Sequence, residues 1–326
     1  MSNGKPKVGF YWCGTCGGCE ESVVDLAEGI LDVVAAVDII FWPVALDFKK
    51  EDVEAMPDNS IAVSFINGAI KNSEDVKICK LLRKKSGLII AYGACAHMGG
   101  IPGLANFWNR EAIFDRVYQE VPSVYNPNKT RPLIENVVDG IKLELPEIYD
   151  TVRKLDDIIP VDYYLPGCPP NPDLLMAGVQ AILSGNLPPN GSILSPNRNM
   201  CETCPLERSE EKIKITEFKR PHEIIPVEGR CLLEQGIICL GPVTRIGCGE
   251  LCMRVNMPCR GCYGPTDEID DMGTKFASAM SSIIDTSNEI EAEQLLSTIP
   301  NFTGLVYMFS LPSSILKRRN MEVFQK

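Results

Sequence analysis

The sequence predicts an α/β fold in which a parallel β-sheet precedes a small cysteine-rich domain. Two runs, residues 61–68 and 87–94, are almost continuously apolar, as expected for parallel strands that are covered on both faces. A segment with helical periodicity, residues 74–85, lies between them. Further along the chain, residues 195–265 contain eight of the 14 cysteines and few long apolar runs. The chain therefore divides into a layered domain and a segment of a different kind.

The elements of the layered domain can be assigned in chain order. Residues 7–12 predict the first strand. The apolar spacing of residues 20–37 predicts one helix, with Glu20 and Glu21 near its positively polarised start. Residues 37–44 predict the second strand. The order of elements up to residue 94 is therefore β-α-β-β-α-β, which is typical of an α/β sheet.

One further strand and one further helix complete this domain. Residues 159–166 predict the strand, and the helix that follows can be capped by Asn171, with Pro172 in its first turn. We expect a flavodoxin-like domain over residues 1–194.

Two segments follow the layered domain. We expect residues 195–265 to form a cysteine-rich domain that cannot build a conventional core and gains its order from bound metal. Residues 266–326 predict an arm for packing or partner contact, and the basic run at residues 316–320 predicts a solvated helix terminus. The arm also carries four apolar residues at helical spacing: Phe276, Met280, Ile283 and Ile284.

Charge and composition exclude several classes of partner. The formal net charge of −11 argues against nucleic acid or an anionic membrane surface, since both attract basic proteins. The most apolar stretch, residues 33–46, is interrupted by Asp38 and Pro43 and is shorter than the about 20 apolar residues of a membrane span. No export signal precedes the first strand, so we expect a cytoplasmic protein. Cytoplasmic cysteines stay reduced, and 14 of them indicate metal ligation.

Three cysteines, Cys13, Cys16 and Cys19, lie just after the first predicted strand. A ferredoxin-type run with this spacing would have its fourth cysteine at residue 23, which is a valine, so another ligand must come from a distant segment. Cys95 and Cys168 each follow a predicted strand and are flanked by glycines. Because ligands collect at the carboxyl ends of parallel strands, these two are predicted to join Cys16 and Cys19 in one four-thiolate site.

The remaining cysteines can be divided by number. The eight in residues 195–265 are the number that two four-iron clusters need. Cys13 and Cys79 are then spare, and we expect Cys13 beside the four-thiolate site and Cys79 packed as a small apolar side chain. His97 is expected to satisfy a loop carbonyl or face a partner. No nucleotide-binding motif and no hydrolytic set of side chains is present in the sequence, so the expected chemistry is redox.

These motifs resemble those of the small, electron-transferring subunit of nickel-iron hydrogenases, from residue 8 to about residue 265. That family carries C-x-G-C-[SE]-E-S, G-x-C-A and PGCPP, matched here at residues 16–22, 93–96 and 166–170. The resemblance implies a proximal [4Fe-4S] cluster next to the catalytic subunit. Its ligands, called the proximal set below, are Cys16, Cys19, Cys95 and Cys168.

The resemblance also divides the other eight cysteines between two clusters. It implies a distal cluster held by the distal set: Cys201, Cys204, Cys231 and Cys239. It implies a medial cluster, located by the GPVT sequence that precedes it, held by the medial set: Cys248, Cys252, Cys259 and Cys262. Many relatives have histidine in place of Cys201 and proline in place of Cys252, and the second difference implies four irons instead of three.

In these differences, and in lacking a twin-arginine leader, the sequence resembles the cytosolic hydrogenases of methanogenic archaea, particularly the methyl-viologen-reducing type. The resemblance implies three [4Fe-4S] clusters that pass electrons from a large subunit to an iron-sulfur or flavin acceptor subunit and on to heterodisulfide reductase. The nickel-iron centre belongs to the large subunit, whose paired cysteine motifs are absent from this sequence.

Three other interpretations remain open from the sequence. A deazaflavin-reducing hydrogenase has a small subunit whose cluster set could be the same. A quinone-reductase subunit of the respiratory complex I type shares the sheet and the first cluster, but it normally starts with adjacent cysteines and has no eight-cysteine domain. A zinc-stabilised scaffold is the third, because paired C-x2-C units also bind zinc.

Overall fold

The protein is described here by a computed structural model that covers residues 4–317. The strands, numbered in chain order, are β1 Lys7–Trp12, β2 Asp38–Phe41, β3 Ile61–Asn67, β4 Ile70–Asn72, β5 Ser86–Tyr92, β6 Glu135–Val138, β7 Ile141–Glu144, β8 Ile148–Arg153 and β9 Tyr163–Leu165. The helices are α1 Gly18–Val24, α2 Gly29–Ala36, α3 Lys50–Ala55, α4 Ser73–Lys85, α5 Ala94–Met98, α6 Arg110–Asp115, α7 Pro172–Ser184, α8 Leu251–Arg254, α9 Met272–Ser281, α10 Glu289–Ser297 and α11 Phe302–Val306. The last three residues of the predicted helix terminus at 316–320 lie outside the described residues.

The central sheet has the strand order β2-β1-β3-β5-β9, and every neighbouring pair is parallel. This is the flavodoxin-like order, so the predicted α/β class is confirmed. Both faces are covered, as the apolar strands require. In β3, Phe65 stacks on Phe10 of β1 on one face, while Ile66 packs with Leu82 of α4 on the other.

The predicted helix over residues 20–37 is wrong in one respect, because the chain forms two helices there. α1 ends at Val24, and a tight turn leads into α2, with Ala27 in the left-handed region at φ 49°. The main-chain N–H of Ala27 donates to the carbonyl of Val24, three residues back. Both helices bury apolar residues against the same face of the sheet, so the helical spacing continues across the turn and hides it.

The predicted cap of the last helix in this domain is confirmed, and the second strand is shorter than predicted. Asn171 caps α7 by accepting a hydrogen bond from the Asp173 main chain, and Pro172 is the first residue of that helix. β2 ends at Phe41 because Pro43, which has no N–H, follows closely. The helix α3 and the two-stranded β6–β7 and β4–β8 pairings were not predicted. None of the helices within residues 4–317 has the length and apolar character that a bilayer crossing demands.

The cysteine-rich segment and the C-terminal arm share one apolar core. Leu240 and Val243 from the segment pack with Phe276 and Val306 from the arm. The cysteine-rich segment does not build this core alone, because seven of its twelve buried residues lie beyond residue 265. The domain boundary between the cysteine-rich segment and the arm, at residue 265, stays a prediction.

The predicted helix in the arm is α9, which contains Phe276 and Met280 but ends before Ile283 and Ile284. Ile283 lies in the turn that follows α9, and Ile284 forms an isolated parallel bridge with Ile215. The carbonyl of Ile283 accepts a hydrogen bond from the main-chain N–H of Ile215, which joins the arm to the cysteine-rich segment. Ile283 and Ile284 therefore join the arm to the cysteine-rich segment instead of extending the helix that their spacing predicted.

A buried carboxylate holds the arm together. Asp271 caps α9 by accepting from the Thr274 main-chain N–H at 2.7 Å, and it also accepts from the Tyr307 hydroxyl at 2.7 Å and from the Ile315 main-chain N–H at 2.8 Å. Burial alone would raise the pKa of Asp271, but these hydrogen bonds outweigh it and hold the pKa below its ordinary value. The ionised carboxylate thus connects three turns of the arm.

We predict that Asp271→Ala lowers the free energy of unfolding by about 2–4 kcal/mol, since it removes a helix cap and two further bonds to a charged acceptor. Thermal unfolding of the anaerobic protein measures this as a fall in Tm of several degrees. Asp285→Ala is the matched control, because Asp285 forms only a surface ion pair with Lys214 at 3.4 Å. Equal shifts for the two variants would contradict the role of Asp271.

Candidate metal centres

The proximal set lies at the carboxyl edge of the parallel sheet. β1 leads to Cys16 and to Cys19, which is in the first turn of α1. β5 ends at Tyr92, three residues before Cys95, and β9 ends at Leu165, three residues before Cys168. Because β1, β5 and β9 run parallel in one sheet, segments that are far apart in sequence meet at this edge.

The thiols of the proximal set are close enough to influence one another electrostatically. Burial raises the pKa of the Cys19 thiol well above its ordinary value, and neighbouring Cys95, Cys168 and Cys16 raise it further. Burial raises the pKa of Cys95 to about 12, again with contributions from Cys168 and Cys16. Because burial and neighbouring cysteines raise the pKa values of Cys19, Cys95 and Cys168, a positively charged ligand is needed before these thiols become thiolates together.

Two glycines let the main chain approach these sulfurs. A β-carbon added to Gly93 would lie 2.4 Å from the Cys19 Sγ, and one added to Gly100 would lie 2.4 Å from the Cys95 Sγ. Both residues also have positive φ, 85° and 57°, which glycine adopts without strain. Close approach of main-chain amides to ligand sulfur is typical of iron-sulfur sites.

The distal set lines one enclosed cavity of about 60 Å³. All four of its cysteines contribute to the wall, and most of the remaining wall is apolar, including Met200, Leu232 and Met253. Burial raises the pKa of Cys201 to about 12, which nearby Arg208 partly offsets. The Cys239 sulfur accepts a hydrogen bond from the main-chain N–H of Cys259 at 3.3 Å. Four thiols around an apolar space form a donor set that fits an iron-sulfur cluster.

The medial set lies between the other two. Burial raises the pKa of Cys262 well above its ordinary value, and Cys259, Cys168, Cys248 and Cys252 add to the rise. The pKa of Cys259 is raised to about 12 by burial and by Cys239. Cys262 is thus near a proximal cysteine, Cys259 is near a distal one, and Cys252 is exposed at the surface. The three sets form a continuous series through the protein.

None of the side-chain groups among the described residues meets the geometry of a single bound metal ion. A zinc ion with four sulfur ligands needs all of them at about 2.3 Å from one point. Within residues 4–317, no three Cys, His, Asp or Glu side chains are placed closely enough to hold one metal ion.

The two spare cysteines lie together, away from the proximal set. The Cys13 and Cys79 sulfurs are 3.6 Å apart and are packed with Ile66 and Leu82 between the sheet and α4. The prediction for Cys79 is confirmed, because it is fully buried among apolar side chains. Cys13 was expected beside the thiolate site, but its side chain packs on the α4 face of the sheet instead. Successive side chains of an extended chain point to opposite faces of the sheet, and this alternation places the Cys13 side chain on the α4 face.

Two ionisable side chains near the proximal set differ from expectation. His97 is half-buried, burial lowers its pKa to about 4, and its Nδ1 has no hydrogen-bond partner among the described residues. It packs on Tyr164, with 4.8 Å between the ring centres, and its Nδ1 satisfies no loop carbonyl. That it faces a partner stays a prediction. Glu20 was predicted only as a helix-start residue, yet it is buried and accepts hydrogen bonds from Trp42 and Asn67. Burial raises its pKa.

Comparison with known proteins places the chain among redox subunits. The family model described as the 20-kDa subunit of NADH:ubiquinone oxidoreductase matches residues 16–182. This range contains the proximal set and ends before the distal and medial sets.

Relatives match nearly the whole chain. The iron-sulfur subunit of the F420-non-reducing hydrogenase of Archaeoglobus profundus is 40% identical over 96% of this chain and 98% of its own length. The corresponding F420-non-reducing hydrogenase subunit of Methanothermobacter thermautotrophicus is 35% identical over 96% of both chains. A solved structure of an NAD+-reducing [NiFe]-hydrogenase in the H2-reduced state matches 56% of this chain and 92% of its own, with 26% identity and a TM-score of 0.48.

We predict that Gly93→Ala displaces the Cys19 sulfur, because the new methyl group would overlap it, at a cost of about 1–3 kcal/mol from overpacking. Gly140→Ala is the matched control. Gly140 has a similar φ of 79°, but nothing lies within 4 Å of its added β-carbon, so this variant reports backbone strain alone.

The measurement is Tm together with mass-spectrometric mapping of alkylated cysteines under anaerobic conditions. We expect a larger fall in Tm and faster labelling of Cys19 in Gly93→Ala than in Gly140→Ala. Equal behaviour of the two variants would show that Gly93 is needed only for its φ angle.

Proposed function

The chain belongs to the family of the 20-kDa subunit of NADH:ubiquinone oxidoreductase and to its hydrogenase small-subunit branch, and on this basis we propose that it passes electrons from H2 oxidation through three [4Fe-4S] clusters. It is one subunit of a hydrogenase, an oxidoreductase. The nickel-iron centre is in the partner large subunit, because this chain lacks the motifs that would bind it.

Each cluster is proposed to be held by one set of four cysteines. The proximal set would receive electrons from the large subunit, the medial set would hold the middle cluster, and the distal set would hold the cluster at the exit. When bound, such clusters accept and donate single electrons, at potentials set by ligation, hydrogen bonds and solvent exposure. Ligation by four thiolates keeps the net charge negative, which favours the low potentials suited to hydrogen oxidation.

The observation that carries this proposal is the meeting of Cys16, Cys19, Cys95 and Cys168 at one sheet edge. A stretch of about 150 residues separates the first from the last, and the sheet order β1-β3-β5-β9 brings them together. A purely structural metal has no need of ligands from three separate strand ends, whereas a centre that must face a partner at the open edge of the sheet does.

The residues around the thiols have defined roles in this function. Gly93 and Gly100 admit the main chain to the sulfurs, and apolar side chains such as Met200 and Leu232 exclude water from the distal cavity. Buried thiols with raised pKa values remain protonated until iron binds, so loading each site releases protons. The protein thus provides selective binding and a dry environment for electron transfer.

We also propose the subtype, its acceptor and its compartment. The relatives are named F420-non-reducing, which favours a hydrogenase that does not reduce the deazaflavin F420. On the resemblance given above, the acceptor is an iron-sulfur or flavin subunit that feeds heterodisulfide reductase, and the complex is cytoplasmic.

We predict that the anaerobic complex contains about 12 iron and about 12 acid-labile sulfide per copy of this chain, apart from iron in its partners. Cys239→Ala should remove about four of each, because it opens one four-thiolate set. Cys79→Ala is the control and should remove none, since Cys79 packs only among apolar side chains and Cys13. Two or three zinc ions without labile sulfide would refute the redox function.

We predict that anaerobic affinity purification of this chain recovers a second subunit that contains nickel in stoichiometric amount. Hydrogen-dependent reduction of methyl viologen, but not of F420, should accompany it. Recovery of a flavoprotein with F420 reduction would instead support the deazaflavin-reducing subtype, and recovery of no nickel protein would contradict the hydrogenase assignment in this complex.

A further inference from the structure

We propose that Tyr263 is a positioning residue that sets the spacing between the proximal and medial sets through a hydrogen bond to Asn171. The inference rests on the proposed function, because spacing matters only if both sets hold redox centres. It concerns a side chain that has no place in the ligand motifs.

The hydrogen bond joins the two ligand-bearing segments directly. The main-chain N–H of Asn171 donates to the Tyr263 hydroxyl oxygen at 2.9 Å. Asn171 lies three residues after Cys168 of the proximal set, and Tyr263 immediately follows Cys262 of the medial set. A single phenol therefore links the loop that presents one ligand to the loop that presents the other.

The Asn171 amide has no other acceptor within its own helix. Asn171 is the N-cap of α7, and the first amides of a helix lack intrahelical carbonyl partners. Its side chain adds a second, longer link by donating to the Cys248 carbonyl at 3.4 Å. Asn171 thus contacts the medial segment at two points, near Cys262 and at Cys248.

The ring of Tyr263 is held firmly enough to act as a spacer. The residue is 1% exposed, and an added β-carbon at Gly247 would lie 3.0 Å from its Cε1. Gly247 directly precedes Cys248, so the ring packs closely against the segment that carries this medial ligand. A hydroxyl on a ring fixed in this way has little freedom to follow a shift of Asn171.

The two sets approach each other at this point. Cys168 and Cys262 both pack against the small apolar cluster formed by Ala94, Met98 and Phe309. The contact between the sets is otherwise apolar there, and apolar packing is not directional. The directional constraint on their separation comes from the hydrogen bonds at Asn171.

The test uses Tyr263→Phe in the complete anaerobic complex, with Tyr163→Phe as the matched control. Tyr163 is also a buried tyrosine whose hydroxyl bonds the main chain, donating to the Pro188 carbonyl at 3.1 Å, and Pro188 lies outside the ligand-bearing loops. Electron paramagnetic resonance of the fully reduced complex measures both the number of reduced clusters and the magnetic interaction between neighbouring ones.

In Tyr263→Phe we expect unchanged spin counts for all clusters and an altered interaction between the proximal and medial signals. Tyr163→Phe should match the wild type in both respects. An unaltered interaction in Tyr263→Phe would overturn the inference while leaving the proposed function intact. Absence of the cluster signals from the wild type would instead refute the proposed function.

A second measurement does not depend on the variant being stable. In the wild-type complex, hydrogen exchange at the Asn171 amide should be as slow as at an internal amide of α7, because the Tyr263 hydroxyl protects it. Exchange at the rate of an unbonded N-cap amide would overturn the inference.

Discussion

The site depends on the parallel pairing of β1, β3, β5 and β9, because this pairing places the carboxyl ends of the strands at one edge. Each thiol of the proximal set follows a strand end by a few residues, so the sheet register fixes where its sulfur can lie. The apolar residues on both faces make that register costly to change, since a slip of one residue would expose a buried face. Binding at the proximal set therefore depends on an apolar core whose own side chains take no part in redox chemistry.

The medial and distal sets are organised differently, in a segment with little regular secondary structure. Their loops are held by an apolar core shared with the C-terminal arm, and the arm is itself held together by the bonds of Asp271. The pKa values of Cys239 and Cys259 are raised by burial and by neighbouring cysteines, whereas Cys252 is exposed at the surface. A cationic inorganic core that binds to such a set displaces the thiol protons and offsets the repulsion between the thiolates that form.

Sequence reasoning located most of the fold and nearly all of the candidate ligands, since strand ends, glycines and cysteine spacing are local signals. It failed where the deciding contact is distant. The turn at Ala27 was hidden because α1 and α2 bury the same face, and the cysteine motif around Cys13 gave no sign that its sulfur contacts Cys79 on α4. The core shared by Leu240 and Phe276 was divided by a boundary drawn from composition, and the buried Glu20 owes its place to Trp42 and Asn67.

The central claim is that thiols from distant segments enclose three separate inorganic cores. Anomalous X-ray scattering at the iron absorption edge, from crystals of the complex grown without oxygen, tests it most directly. The account predicts three iron-containing peaks in this chain, with the sulfurs of Cys16, Cys19, Cys95 and Cys168 surrounding one of them. Peaks that appear only at the zinc edge, or a proximal set with no iron between its sulfurs, would contradict it.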